Sequence, residues 1–237
     1  QVRPISYTNP DNTRICRYIK TQPEELLSGY GASVWMDSNI RIMTSAVYER
    51  IIELYESGSL IASMNHPERD CIYDEAFEVI YLRFEREKVA VDWCRRLRKE
   101  KYPKHNGLYE TNVMFRKHNT SLIAETNVMW WYCIEKYSKR DQLSLNYVLW
   151  KVGLECDYFL DKSLNARNSA DFSIVTHKNE SKKVYMYNKS EWLLKYVYKK
   201  PYLKEIVKQR YEWCYTKNFP YLWIKLFGQY YRLKEIY

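Results

Sequence analysis

The sequence lacks any apolar segment long enough to cross a lipid bilayer. A spanning helix needs about 20 predominantly apolar residues, and charged residues, which make up 28% of the 237 residues, interrupt every apolar run well before that length. Internal repeats and low-complexity segments are absent as well. Hydrophobic residues make up 46% of the chain, enough for a sizeable core. These features indicate a globular protein of one large domain, or of one domain with an appendage.

Closely spaced cysteines are also missing. The six cysteines are scattered along the chain, and no two of them form a C-x-x-C pair. Structural zinc sites and redox motifs depend on such pairs, so the sequence supports neither kind of site. The scattering favours reduced thiols in a cytosolic chain.

Positive charge is distributed unevenly. The formal net charge of the chain is +9. From Lys178 to the C terminus there are 14 Lys or Arg residues against five Asp or Glu residues, so the first 177 residues are neutral overall. The same C-terminal part holds 11 of the 24 tyrosines. We therefore predict two regions: residues 1–177, which carry the chemistry, and a basic, Tyr-rich helical extension at 178–237, which meets an anionic partner.

Strand-like and helix-like segments alternate through the first region. Short apolar runs predict strands over 32–36, 40–43 and 108–115. Helices are predicted over 23–27, 46–56, 74–88, 91–101, 127–137 and 142–152, and in the extension around 190–198, 202–213 and 222–230. The alternation favours an α/β fold over an all-helical one.

The strongest candidate for a metal site follows the first predicted strand. Asp37 and Asn39 come directly after the apolar run, and open α/β sheets bind their ligands at the carboxyl ends of strands. A carboxylate and an amide oxygen are ligands that suit Mg²⁺ or Mn²⁺, and such an ion also bridges the oxygens of a diphosphate. Taken alone, the Asp-Ser-Asn tripeptide fits an ordinary turn equally well.

Four sequence blocks, in the same order, resemble the glycosyltransferase-like DUF616 family, which includes plant mucilage-related hexosyltransferases and bacterial polysaccharide-locus proteins. The blocks are S-V-W-M-D-S-N-I at 33–40, H-P-E-R-D-C-I-Y-D-E-A at 66–76, G-L-Y-E-T-N-V at 107–113, and W-W at 130–131 followed by S-K-R-D-Q-L-S at 138–144. The resemblance extends over residues 11–155.

The resemblance implies a GT-A-like fold, in which a mixed central sheet is flanked by helices, here with a mostly helical basic and aromatic appendage. It implies metal-dependent transfer of a sugar from a nucleotide-sugar donor to a saccharide or lipid-linked glycan acceptor. Mn²⁺ or Mg²⁺ is expected on Asp37 and Asn39, with His177 as a further ligand. A surface or capping histidine is the alternative for His177. Because Asp37 lies so close to the first residue, the strands that bind the nucleotide base in GT-A enzymes are expected to be missing from this chain or to be supplied differently.

Further residues are assigned to the donor by the same resemblance. Arg14, Arg17 and Lys20 would share one face of a helix and bind the donor diphosphate. A solvated helix face is the alternative. His66 and Arg69 are also assigned to the donor. His66, as a neutral imidazole, would hydrogen-bond a sugar hydroxyl, and a structural histidine is the alternative.

The acceptor side of the site is expected around two of the blocks. The residues assigned to the acceptor or its sugar are Gly107, Glu110, Asn112, Arg140 and Gln142. Glycine allows the backbone to approach a sugar closely, although a plain turn into a strand has the same composition. Asp141 would act as the general base in an inverting displacement. It is equally suited to cap a helix, and a retaining enzyme would not need it as a base.

Two other classes of function remain open for the basic, aromatic C-terminal part: a nucleic-acid-binding module and a non-catalytic scaffold. No signature of a nucleic-acid-binding fold accompanies it, so we expect no nucleic acid partner. A cytoplasmic location is expected, with peripheral attachment to the inner face of the membrane if the source is bacterial. A Golgi-type lumen is less favoured.

The C-terminal part also generates a test. Aromatic rings beside Lys and Arg suit a membrane interface with anionic lipids, so we expect the chain to co-sediment with anionic vesicles at low salt. Binding should weaken as salt is raised, because the Debye length falls to about 3 Å at 1 M. If the chain ignores anionic vesicles at low salt, these residues pack on protein instead.

Overall fold

The computed structural model describes residues 2–82 and 84–175, together with the backbone of two C-terminal strands at 221–226 and 229–235. The chain divides into two compact units. One consists of the residues up to Ile72 together with His105–Val175, and the other includes Tyr73–Lys104 and the two C-terminal strands. Every candidate functional residue lies in the first unit except His177, which is outside the described residues.

Helices and strands alternate along the first unit. In chain order it contains α1 (Asn12–Thr21), α2 (Pro23–Leu27), β1 (Ala32–Met36), β2 (Ile40–Ile42), α3 (Ala46–Glu56), β3 (Ile61–Asn65), β4 (Tyr109–Lys117), α6 (Ser121–Lys136), a 3-10 turn (Asp141–Leu143), α7 (Leu145–Val152), β5 (Asp157–Tyr158) and β6 (Phe172–Ile174). The second unit contains α4 (Ile72–Tyr81, of which Ile72 belongs to the first unit), α5 (Glu87–Lys99), β7 (Tyr221–Leu226) and β8 (Gln229–Glu235).

A mixed four-stranded sheet forms the centre of the first unit, in the order β1-β4-β3-β5. The β1–β4 and β3–β4 pairs are antiparallel, and β3 pairs with β5 in parallel. Trp35 lies opposite Met114 and Met36 opposite Val113, so the carboxyl end of β1 adjoins the first half of β4. The expected mixed α/β fold, with a central mixed sheet flanked by helices, is confirmed.

The two faces of this sheet are covered by different helices. On one face, Val113 and Phe115 of β4 join a buried apolar cluster with Val47 and Leu54 of α3. Side chains alternate between the faces of a strand, so Arg116 points to the opposite face. There its guanidinium donates to Asn127 of α6 at 2.7 Å and to the carbonyl of Lys20 in α1. A single buried arginine thus ties α1 and α6 to the sheet.

Several predicted helices and strands are confirmed, some with the predicted first and last residues and others with different ones. The structure has β1, α2 and α3 with the predicted bounds. The helix predicted from residue 127 begins earlier, at Ser121, because the hydroxyl of Thr120 caps it by accepting from the Ile123 N–H at 3.3 Å. The helix predicted over 74–88 is too long: α4 ends at Tyr81, and α5 begins at Glu87 after Arg86, whose backbone is extended.

The helix predicted around 222–230 is wrong, because the backbone forms a β-hairpin there. Strands β7 and β8 pair in antiparallel fashion, with Leu226 opposite Gln229. Leu222, Ile224 and Leu226 alternate with aromatic and basic residues, a two-residue period that suits a strand better than a helix. The helices predicted around 190–198 and 202–213 lie outside the described residues. Within the described part of the chain, no helix is long and apolar enough to cross a membrane.

The position of Arg116 generates a prediction on stability. Arg116→Lys keeps the charge but not the planar group that reaches two acceptors at once. An acceptor left buried and unpaired costs about 1–3 kcal/mol, so the free energy of unfolding in urea should fall by that amount. Arg95→Lys makes the same exchange on an exposed arginine of α5 and should leave stability almost unchanged. Equal stability of the two variants would contradict the tie between α1, α6 and the sheet.

Candidate functional site

Asp141 is a buried acid that several side chains contact. Its side chain is almost fully buried, and three side chains from two other elements reach its carboxylate. Lys20 Nζ lies 2.6 Å from Oδ2, Arg17 Nε lies 3.0 Å from Oδ1, and the Thr111 hydroxyl donates to Oδ2 at 2.8 Å. The indole N–H of Trp130 donates to the Asp141 backbone carbonyl at 3.0 Å. Oδ2 therefore accepts two hydrogen bonds, and Oδ1 is paired with Arg17 by charge.

The charges around Asp141 keep it ionised. Burial by itself raises the pKa of a carboxyl group, and here it is the largest single influence. The positive charges of Lys20, Arg17 and Arg140 outweigh it together and hold the pKa of Asp141 well below its usual range. A carboxylate with so low a pKa and with both oxygens engaged is poorly suited to accept a proton from an alcohol. The position of Asp141 suits the binding of the Lys20 and Arg17 side chains. Its carboxylate oxygens contact side chains and not the backbone N–H groups of its own helix, so it is not a helix cap.

Asp37 has the opposite character. It follows β1 in a tight turn that is closed by a hydrogen bond from the Ile40 N–H to the Asp37 carbonyl at 2.9 Å. Its Oδ1 accepts from the indole N–H of Trp35 at 2.8 Å and lies 3.9 Å from Lys20 Nζ. Its side chain is 32% exposed, and Oδ2 has no partner among the described residues. Asp37 is thus the open carboxylate of the cluster, and Lys20 lies between it and Asp141.

Two residues with amide side chains lie near Asp37: Asn39, two residues later in the chain, and Asn112 of the neighbouring strand β4. Asn39 directs its Nδ2 toward the Val175 carbonyl at 3.5 Å, which leaves its amide oxygen unengaged. The backbone carbonyl of Asn112 accepts the Asp37 backbone N–H at 2.8 Å, and the Asn112 side-chain Oδ1 is buried without a hydrogen-bond partner in the part of the chain that the structure describes. The open carboxylate oxygen of Asp37 and the amide oxygen of Asn39 are hard ligands that fit Mg²⁺ or Mn²⁺.

A bulge in β4 places the residues next to these two acids. Ser63 of β3 lies opposite Met114, but the next residue, Met64, lies opposite Glu110, so 111–113 have no partner in β3. The Ser63 hydroxyl stabilises the bulge by donating to the carbonyls of Glu110 and Val113, at 2.6 and 3.2 Å. Bulges commonly redirect side chains next to active sites. Here the bulge brings Thr111 to Asp141.

Glu110 and Gly107 have structural partners that the sequence did not indicate. Glu110 is buried, pairs with the guanidinium of Arg167 and accepts from Asn112 Nδ2 at 3.2 Å. Gly107 has a φ of +79°, which only glycine adopts without strain. The loop is held by Asn146, whose Oδ1 accepts from the Tyr109 N–H at 3.1 Å. The backbone conformation alone therefore accounts for this glycine.

His66 is a neutral, buried imidazole. Its Nδ1 accepts the backbone N–H groups of Glu68 and Arg69, at 3.2 and 3.0 Å. Burial, together with the positive charges of Arg69 and Arg167, lowers its pKa to about 3. The histidine therefore stays neutral at physiological pH, and it fixes the turn that begins the next helix. Arg69 pairs with Glu68 at 3.0 Å. This arrangement favours the structural interpretation of His66 that the sequence left open.

Not all of the predicted donor and acceptor residues join the cluster. Arg14 lies on α1 with Arg17 and Lys20, but its guanidinium donates to the carbonyls of Ile134 and Glu135 at the end of α6. It caps that helix and does not reach the two acids. Arg140 precedes Asp141 and contributes to its low pKa. The Gln142 amide makes no hydrogen bond within the described part of the chain.

Sequence reasoning missed the residues that orient the acids. Trp35, Trp130 and Thr111 all lie inside the blocks quoted above, yet no role was assigned to them. Trp35 is two residues from Asp37, and this i, i+2 spacing on a strand places two side chains on one face. That signal was available for Trp35. The contacts of Trp130 and Thr111 depend on the bulge and on the 3-10 turn, which left no pattern in the sequence.

A cavity of about 1080 Å³ lies away from this cluster, between α3 and the segment around β5. The carboxylates of Glu49, Glu53, Glu155, Asp157 and Asp161 are among the groups that line it. Walls with so much negative charge repel a diphosphate. This cavity therefore disfavours an anionic ligand.

Comparison with known proteins identifies the family. The family model described as TOD1/MUCI70, glycosyltransferase-like domain, matches residues 2–177. The chain belongs to this family. The resemblance inferred from the four sequence blocks is thereby confirmed, and membership supports a general glycosyltransferase role, with a sugar donor and an acceptor. No curated protein and no solved structure matches the chain.

The contacts of Asp141 predict that its loss is felt first in stability. Asp141→Asn removes the nearest counter-charge of Lys20 and Arg17 and leaves only the more distant Asp37, and breaking a buried pair costs about 3–5 kcal/mol. The free energy of unfolding in urea should fall by that amount. Asp11→Asn is the matched control, since Asp11 pairs with Lys139 at 2.8 Å on a part-exposed surface, where a pair contributes about 0–1 kcal/mol. If the two variants are equally stable, Asp141 does not hold the cations.

Proposed function

We propose that the chain is a metal-dependent glycosyltransferase that moves a sugar from a nucleotide-sugar donor to a saccharide acceptor. Its membership of a glycosyltransferase-like family supports the class of reaction. The single observation that supports the location is the open Oδ2 of Asp37, at the carboxyl end of β1 and beside a buried lysine.

Asp37 and Asn39 would hold the divalent ion, with His177 as the further ligand expected from the sequence. Mn²⁺ or Mg²⁺ bound there would act as a Lewis acid and stabilise the negative charge that develops on the leaving diphosphate. The oxygen ligands of this pair match the preference of both ions.

Lys20 and Arg17 provide fixed positive charge beneath the site. The Lys20 side chain is fully buried and that of Arg17 is 14% exposed, so neither is an extended arm on the surface. Together they balance the charges of Asp141 and Asp37. Because these four charges cancel, a bound divalent cation would give the site a net positive charge that attracts the donor diphosphate. Charges held in place before the reaction stabilise developing charge without reorganisation.

Asp141 is assigned to the positioning of these two cations. In the described conformation both of its oxygens contact cationic side chains, so we do not propose it as the general base. Its contribution to transfer would be indirect, through the place and the orientation of Lys20 and Arg17.

The sugar itself would contact the groups around the bulge. Asn112, the amide of which Glu110 orients by accepting from its Nδ2, is the first candidate for a sugar contact. Gln142, with an amide that makes no hydrogen bond within the described residues, is the second candidate for a sugar contact. A saccharide or lipid-linked glycan is the proposed acceptor, with peripheral membrane attachment as the vesicle experiment would test.

Asp37→Asn is the direct test. The amide is nearly isosteric with the carboxylate, so the melting temperature should be unchanged. Loss of the charge should reduce Mn²⁺-dependent release of nucleoside diphosphate at least about a hundredfold. The assay uses a panel of nucleotide sugars with and without Mn²⁺. Asp157→Asn, an exposed carboxylate of the acidic cavity, is the control and should behave as wild type. Full activity of Asp37→Asn with unchanged Mn²⁺ dependence would refute the metal assignment.

A further inference from the structure

Trp35 contacts both of the opposite charges that meet at the proposed site. Trp35 and Asp37 point to the same side, as residues two apart on a strand do, and the indole N–H donates to Asp37 Oδ1 at 2.8 Å. Lys20 Nζ lies 5.4 Å from the centre of the Trp35 ring. The Trp35 side chain therefore contacts the Asp37 carboxylate through its N–H and the Lys20 ammonium through the face of its ring.

The hydrogen bond makes the two oxygens of Asp37 different from each other. The terminal torsion of an aspartate is broad and permits exchange of its oxygens. An indole N–H is a donor only, and it occupies Oδ1, the same oxygen that lies 3.9 Å from Lys20. Oδ2 is then the atom left for a ligand, and its direction is fixed by the rigid ring two residues earlier.

The ring also limits where the Lys20 ammonium can lie. Nζ is 2.6 Å from Asp141 and 3.9 Å from Asp37, in a side chain that is fully buried. Tryptophan is the best of the aromatic partners for a cation. Contact with the ring keeps the ammonium between the two carboxylates, so that it does not collapse onto Asp37 and compete with a metal ion for that oxygen pair.

We propose that Trp35 is a positioning residue for the metal site, whose indole N–H holds Asp37 Oδ1 so that Oδ2 faces the divalent ion. The inference rests on the proposed function, because it assumes that Asp37 binds a cation. Partners of metal-ligating groups typically change metal affinity by about 10–100-fold when they are removed.

Trp35→Phe tests the proposal, because phenylalanine keeps an aromatic ring and loses the N–H. Binding of Mn²⁺ with inorganic pyrophosphate, which stands in for the donor diphosphate, is measured by titration calorimetry. We expect the dissociation constant to rise about 10–100-fold, while the melting temperature without metal stays near that of wild type. Trp131→Phe is the matched control: the Trp131 ring packs against Tyr7 and Tyr18, and its N–H makes no hydrogen bond within the described residues. It should bind as wild type does.

The outcomes separate the inference from the proposed function. If the wild type does not bind Mn²⁺ with pyrophosphate, or if Asp37→Asn binds it equally well, the metal site fails and the role of Trp35 fails with it. If Asp37→Asn loses binding but Trp35→Phe matches Trp131→Phe, only the role of Trp35 is overturned. Should Trp35→Phe unfold, the tryptophan analogue with sulfur in place of the N–H, introduced at position 35, keeps the full ring. The dissociation constant of Mn²⁺ with pyrophosphate should rise by the same factor in this analogue, and an affinity equal to that of the wild type overturns the proposal.

Discussion

The ion pair between Lys20 and Asp141 is the contact on which this face of the protein depends. It joins the first helix to a 3-10 turn that lies more than a hundred residues later in the chain. A buried charge that lacks its partner is strongly destabilising, so the folded state needs α1, the bulged strand β4 and the 3-10 turn together. Arg17 and Thr111 complete the contacts of the carboxylate. The positive charge of the site therefore depends on the same contacts as the fold.

Asp141 and Asp37 have different structural roles in the cluster. Asp141 has no oxygen to spare and organises its neighbours, whereas Asp37 keeps one oxygen open toward solvent. Asp141, with contacts to both oxygens, makes the site rigid. Asp37, with one oxygen that has no partner in the described part of the chain, can bind a ligand. Membership of a glycosyltransferase-like family fits this division, because charge stabilisation in such a reaction needs both a fixed framework and an open position.

The sequence predicted what depends on local pattern. Strand β1, helix α3 and the position of Asp37 at a strand end followed from apolar runs and from their breaks, and the shared face of Arg17 and Lys20 followed from helical spacing. The partner of those two cations did not, since long-range contacts leave no periodic signal. Arg14 has the same spacing but caps α6, because its place near the start of α1 lies beside that helix end. In the C-terminal part, the two-residue alternation of β7 was mistaken for a helix.

The bulge in β4 has a consequence for how sequences of this family are compared. The segment before it and the segment after it are each in register with β3, but the two registers differ by the three residues 111–113. The number of residues between Gly107 and Met114 is therefore a structural quantity, unlike the length of a surface loop. A relative with one residue more or fewer at this point would have a different bulge beside its counterparts of Glu110 and Thr111. A gap in an alignment placed there would mark a relative with a rebuilt site.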